Sequence, residues 1–263
     1  MVNVSVIVSL VIQAVVSVGV PVVCLIYFYR KYRISMKPVL IGLLVFIVFS
    51  QILEKILHVY MLQINPETSE WLKKPYLYAV YAGLAAGIFE EVGRFIGFRY
   101  LLKKYREWQD GVAYGIGHGG IEAFLIGGFG AVQMLMYAFM INSGGFDSII
   151  HTAGSAAPTL RAIKDQLVQM PSYVVLLGSL ERFTAFALQL GLSMLVLYAV
   201  RSKRTIFLPI AILVHAAIDF VAGLYQSLHL NIFLVEGFFL VVGILSIIFV
   251  VKSKGLFSSV EGS

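Results

Sequence analysis

Apolar runs of about 20 residues, each long enough to cross a hydrocarbon core of about 30 Å as a helix, recur along the whole of this chain. One buried globular core has no use for so many. Charged residues make up 13% of the sequence, about half the usual share of roughly 25%. The fold expected is therefore all-α: a polytopic helical bundle in the cell membrane, with residues 1–263 as a single transmembrane domain. The net charge of +6 does not call for nucleic acid, because the basic residues fall in short loops between apolar runs.

Seven spans are expected, at about Val4 to Tyr29, Pro38 to Leu62, Tyr76 to Leu102, Gly111 to Ile141, Tyr173 to Val200, Ile206 to Leu228 and Asn231 to Val251. Met1 is followed by Val2 and Asn3 without a basic stretch, so the first run is expected to stay as a span. Alternate loops divide the basic residues unevenly. Arg30, Lys31, Arg33, Lys37, Arg99, Lys103, Lys104, Arg106, Arg201, Lys203, Arg204, Lys252 and Lys254 lie on one side, against Lys73, Lys74, Arg161 and Lys164 on the other. By the positive-inside rule the N-terminus faces out and the C-terminus faces the cytoplasm. Between spans four and five, Leu160, Ile163, Leu167 and Met170 recur at helical spacing, as in an amphipathic helix lying on the membrane surface or serving as a lid. The tail from Lys252 to Ser263 is expected to be disordered, and Cys24 to be a packing residue.

Polar residues inside the spans carry the chemistry. Glu90, Glu91 and Arg94 lie within two helical turns of the third span, where an ionisable residue costs roughly 2.5 to 3.5 kcal/mol unless it is paired or wet. One carboxylate can pair with Arg94, leaving the other for chemistry or a metal. His118 with Glu122 and His215 with Asp219 repeat a four-residue spacing on spans four and six. Helix rise places Glu90, His118 and His215 at one depth, roughly 10 to 14 Å inside the cytoplasmic boundary. Glu181 with Arg182, and Glu54 with Lys55 and His58, count to the opposite side and read as structural charge, with His58, His151 and His229 solvated. Gly83 and Gly87, Gly93 and Gly97, and Gly111, Gly115 and Gly119 form series that let helices approach closely.

A carboxylate beside an imidazole can take a proton from water. Alternatively Glu90 or Glu91, with His118 and His215, could bind zinc and leave a fourth position for water, with Glu122 and Asp219 as further ligands or as acceptors orienting the imidazoles. The blander readings are ion pairing of the glutamates with Arg94 and interhelical hydrogen bonding by the histidines. A proton- or cation-coupled transporter or binding protein, or a catalytically idle scaffold, would use the same residue types.

FEEVGRF at Phe89 to Phe95, AYGIGHGGIEA at Ala113 to Ala123, ERFTAFALQL at Glu181 to Leu190 and HAAIDF at His215 to Phe220 resemble the YhfC-like family of intramembrane metalloproteases. More distantly they are similar to type II CAAX prenyl endopeptidases and bacteriocin-processing relatives. The resemblance implies hydrolysis of a peptide bond in a membrane-associated or prenyl-like substrate. The distant resemblance implies that Glu90, Glu91 and His118 prepare the attacking water and that His215 and the residue four later, here Asp219, stabilise the oxyanion; Arg94 and Tyr114 are expected to hold substrate, and zinc to sit among Glu91, His118, Glu122, His215 and Asp219. Three departures stand out: Arg94 follows the glutamates after two residues instead of three, Tyr114 replaces a phenylalanine, and Asp219 replaces an asparagine. An ionised Asp219 cannot donate to an oxyanion, so a metal or a positioning duty fits it better.

Overall fold

Short polar signals, not a fading of hydrophobicity, divide the chain into helices. The computed structural model describes residues 1–228 and 230–258. Helix α1 spans Val4–Tyr32 and α2 spans Met36–Ile64. Ser35 caps α2 by accepting from the Lys37 amide, and Asn65 caps the short α3, Pro66–Trp71, by accepting from the amides of Glu67 and Thr68. Proline opens both α3 and α4, Pro75–Ile96, at a position whose N–H has no helical partner anyway. There follow α5 (Trp108–Asn142), α6 (Gly145–Thr152), α7 (Ala157–Gln169), α8 (Ser172–Arg201), α9 (Phe207–Leu228) and α10 (Ile232–Ser258). No strand occurs among the described residues.

Six helices, α1, α2, α5, α8, α9 and α10, are long and apolar enough to cross a membrane, and residues such as Val15, Leu213 and Leu234 keep their outer surfaces apolar. Helix α4 is not among the six, because Glu90, Glu91 and Arg94 lie within it, although its 22 residues reach about 33 Å. Wide π-helical turns interrupt the regular winding at Ile47–Glu54, Tyr60–Ile64, Gly97–Leu101 and Ala123–Phe129, the last directly after Glu122.

The chain divides into two compact units, Met1–Val20 with Glu122–Phe183, and Pro21–Ile121 with Thr184–Ser263. In the first, Val2, Val6, Leu10, Ala138, Phe146 and Leu167 form a core. Asn142 ties its ends by accepting from the Val2 amide at 2.7 Å and donating to the Val2 carbonyl at 3.1 Å. The amphipathic pattern does form a helix, α7, but Leu160, Ile163, Leu167 and Met170 pack on this core instead of lying on a lipid surface. Lys164 pairs with Asp147 of α6 at 2.6 Å, which holds the Asp147 carboxyl below the usual range.

In the second unit α4 packs most extensively on α9. The closeness has a simple cause: a Cβ at Gly83 would stand 2.4 Å from the Ala216 carbonyl oxygen, and one at Gly87 2.7 Å from that of Ile212. Helices α2 and α5 meet as tightly, with a Cβ at Gly117 falling 1.9 Å from the Val39 carbonyl oxygen. The far end differs from the disordered tail expected. Helix α10 continues to Ser258, because Trp108 donates to the Val250 carbonyl and Ser253 hydroxyl while Lys254 lies over the Tyr32 and Trp108 rings. Residues 259–263 and His229 lie outside the described residues.

Gly117→Ala is expected to lower stability by about 3 kcal/mol or more, since backbone lies in its way. Gly130→Ala, whose Cβ meets nothing within 4 Å, should change stability by no more than about 1 kcal/mol. Thermal unfolding midpoints in one detergent compare the two.

Candidate functional site

Glycine spacing on α4 decides which way its charges point. Gly83, Gly87 and Glu91 follow at four-residue intervals and share one face, and that face lies against α9. Glu91 therefore meets His215, whose Nδ1 is 2.8 Å from its Oε1. Glu90 is turned about 100° away and addresses α5 and α8 instead. Its Oε2 lies 3.0 Å from His118 Nε2 and accepts from Gln189 Nε2 at 3.2 Å.

Arg94 joins the two pairs. Its Nε is 3.1 Å from Glu91 Oε2, and its Nη2 is 3.8 Å from Glu90 Oε2 and 3.2 Å from His118 Nε2. Nη2 also donates to Gln189 Oε1 at 2.5 Å, and Nη1 donates to the Gln189 carbonyl at 2.9 Å and to Ser193 Oγ at 2.7 Å. Ser193 in turn donates to the Gln189 carbonyl. Arg94, Glu91 and His118 are completely buried, and Glu90 and His215 nearly so. Asp219, whose Oδ2 is 3.5 Å from His215 Nε2, has a side chain 36% exposed and marks the wetter margin.

Gln189 and Ser193 reach the guanidinium because α5 presents its glycines to α8. A Cβ at Gly115 would meet Leu190 and Ser193 at about van der Waals overlap, and one at Gly119 would lie 2.9 Å from Gln189 Cβ. The sequence reading missed both polar residues. The signal was there: two hydrogen-bonding side chains four residues apart in an apolar run, facing a glycine series.

Glu122 follows His118 by one turn of α5. Glu90, His118 and Glu122 each offer a ligand atom, all within 4.8 Å of one another. The set suits a divalent first-row metal, since one imidazole and two carboxylates supply nitrogen and oxygen donors and balancing charge. His118 Nδ1 supports the fit, being buried with no hydrogen-bond partner where nearly all such groups find one.

This grouping differs from the sequence expectation. Glu90, not Glu91, stands with His118 and Glu122, while Glu91, His215 and Asp219 form a separate string on the α9 side of Arg94. Arg94 and Tyr114, expected to hold substrate, are both fully buried, with the Tyr114 ring packed on Phe98 at 4.4 Å. His58 is not simply solvated: its Nδ1 is 2.7 Å from the Tyr81 hydroxyl and its Nε2 3.2 Å from Glu54. Glu181 pairs with its neighbour Arg182, and His151 is exposed.

Arg94→Met is expected to cost about 3–5 kcal/mol, because the Glu91 carboxylate would stay buried without its partner. Adding Glu91→Gln should recover part of that loss. Arg94→Lys should behave more like methionine than like arginine, since one ammonium cannot serve acceptors arranged for a planar fork. Thermal unfolding of the three variants checks this.

The family model described as YhfC intramembrane metalloprotease matches residues 16–239. The uncharacterized membrane protein YhfC of Bacillus subtilis (strain 168) is 42% identical over 258 residues, covering 98% of this chain and 100% of the relative. No solved structure matches. With its six apolar helices the chain is a multi-pass membrane protein, and it belongs to the YhfC intramembrane metalloprotease family.

Proposed function

We propose that this protein is a metal-dependent endopeptidase that hydrolyses a peptide bond in a membrane-associated substrate. The observation that carries the reading is the set Glu90, His118 and Glu122, with an unpartnered imidazole nitrogen, placed one guanidinium away from a second carboxylate–imidazole pair. In this reading those three residues hold a divalent metal, zinc being the best match to the donors. The chemistry such a metal supplies is Lewis acidity toward water and toward a carbonyl oxygen.

The chain's own residues handle the protons. His215 gives its Nδ1–H to Glu91, which leaves Nε2 facing Asp219 and the wetter margin. Nε2 takes a proton as water adds to the carbonyl carbon and returns it to the nitrogen as the C–N bond breaks, leaving a carboxylic acid and an amine. Asp219 stabilises the imidazolium in between, a role an aspartate performs better than oxyanion binding. Arg94 keeps Glu91 and Glu90 on their separate tasks. An apolar hollow of about 260 Å³, whose lining includes Leu192, Val214, Ile218 and Leu245, suits an apolar segment of the substrate. We take α4 as a seventh span, with the N-terminus outside, so that the site opens toward the cytoplasm.

Purified protein should bind one zinc or cobalt ion per chain. Glu90→Gln, His118→Ala and Glu122→Gln should each weaken binding at least about 100-fold, whereas His215→Ala should keep the metal and lose hydrolysis. Metal stoichiometry after dialysis tests the first part and cleavage of membrane peptides in liposomes the second. Absence of metal from well-folded protein under every divalent ion tried would end this reading, and unchanged affinity in Glu122→Gln would remove Glu122 from the set.

A further inference from the structure

We infer that the end of α1 that carries Arg30 and Lys31 holds one anionic phospholipid, with its phosphate on a cationic and aromatic seat built from α1, α5 and α10 and an acyl chain along α1. The inference is independent of the metal site, and neither reading falls with the other. It begins with a helical stripe. Val23, Ile26, Tyr27, Arg30 and Lys31 follow at intervals of three, one, three and one residues, so they share one face of α1, and they line an open trough of about 420 Å³. Over about 12 Å of helix rise that face turns from apolar to cationic. A phospholipid lying beside it carries its groups in the same order.

The cationic end is more than a pair of side chains reaching for water. A lysine at a membrane boundary ordinarily extends its stem outward. Lys31 is drawn back onto the protein: its Nζ donates to the Tyr27 hydroxyl at 2.7 Å and lies 5.1 Å from the centre of the Tyr27 ring and 5.6 Å from that of Tyr32. From α10, Lys254 Nζ approaches the same Tyr32 ring at 5.4 Å and the Trp108 ring at 5.7 Å. Two ammonium groups from helices far apart in sequence are thus held on one tyrosine. The rings beneath them are fixed in turn, since Tyr32 stacks on Phe28 with centres 5.3 Å apart and meets Trp108 at 5.6 Å, while Trp108 is hydrogen-bonded to α10.

Like charges gathered in this way call for an anion. Elsewhere Lys73, Lys164 and Arg201 each pair with a carboxylate. No carboxylate pairs with Arg30, Lys31 or Lys254 among the described residues. One N–H of Lys31 is given to Tyr27, which leaves two that a phosphate oxygen can accept. Charge and shape together then select the ligand. A zwitterionic lipid would bring its own ammonium among three cations, and a soluble phosphate would leave the apolar half of the trough unused. A basic seat between helices beside an apolar face is the arrangement by which membrane proteins hold anionic headgroups. A phosphate there bridges α1 to α10 and bears on Trp108, the first residue of α5.

Native mass spectrometry of the full chain in mild detergent tests this by titration with phosphatidylglycerol or phosphatidylcholine of matched acyl chains. The wild type should retain one phosphatidylglycerol per chain, at least about 25-fold more tightly than phosphatidylcholine. Lys31→Gln should cut that preference about fivefold, and Lys31→Gln with Lys254→Gln should abolish it, at about a fivefold loss per cation. Lys103→Gln with Lys104→Gln, which removes the same charge from the connection between α4 and α5 outside the trough, should leave it unchanged. In thermal unfolding, phosphatidylglycerol should raise the midpoint of the wild type but not that of the Lys31 and Lys254 double variant, and millimolar glycerol phosphate should raise neither.

Equal losses in the two double variants would reduce the effect to diffuse attraction and overturn the inference. So would equal retention of the two lipids by the wild type, or protection by glycerol phosphate as strong as that by the lipid, which would assign the seat to a soluble anion. Should the Lys31 and Lys254 double variant not fold, an unchanged preference in Lys31→Gln alone is the overturning result.

Discussion

A fully buried guanidinium between two carboxylates is the interaction on which this structure depends. Desolvating Arg94 alone would be prohibitive, and its cost is offset only if every N–H finds an acceptor. The surrounding residues go far toward that demand from two helices: Gln189 and Ser193 on α8 accept its hydrogen bonds, and Glu90 and Glu91 on its own α4 supply the opposing charge. A guanidinium so surrounded fixes the rotation of α4, since turning the helix would move one carboxylate out of reach and leave the other buried against apolar neighbours. In a membrane the requirement is stricter still, because no solvent can fill a missing bond.

Such short interhelical bonds need backbones closer than ordinary side chains allow. The glycines of α4 against α9, and of α5 against α2 and α8, provide that approach. Polar glue and small residues are therefore two halves of one device. Each stripe of glycines ends in, or lies opposite, a polar residue that must reach across: Gly83 and Gly87 lead to Glu91, and Gly115 and Gly119 face Ser193 and Gln189.

Length and apolar content made most helices legible, because a span of about 20 residues has few other readings. The meeting of α4, α5 and α9 was also legible, since counting rise from the basic flanks placed Glu90, His118 and His215 at one depth. Helix count alone could not say which way each side chain turns. It took the packing of α4 on α9 to assign Glu91 to His215 and Glu90 to His118. Gln189 escaped notice because an uncharged amide in an apolar run has no charge to explain, and only the guanidinium opposite gives it meaning. The continuation of α10 past Lys252 depended on the Trp108 and Tyr32 rings, distant in sequence, which cover Lys254. Likewise the apolar stripe of α7 was clear from its period, but nothing in the period distinguishes a protein core from a lipid surface as its partner.

The adjacency of Glu90 and Glu91 has its own logic. Two acidic residues meant for one ligand would be set three or four apart, on the same face. Adjacent ones diverge by about 100°, so a single helix can address two partners at one depth. Arg94 then falls three residues after one and four after the other, the only kind of spacing at which one side chain reaches back to both. Glutamate doublet and arginine together make α4 the hinge-pin between the α5 and α9 sides of the site. An alternative with one glutamate would have to choose between His118 and His215, leaving the other imidazole without its carboxylate partner on α4. The spacing thus separates the Glu90–His118 pair from the Glu91–His215 pair while keeping both under one positive charge.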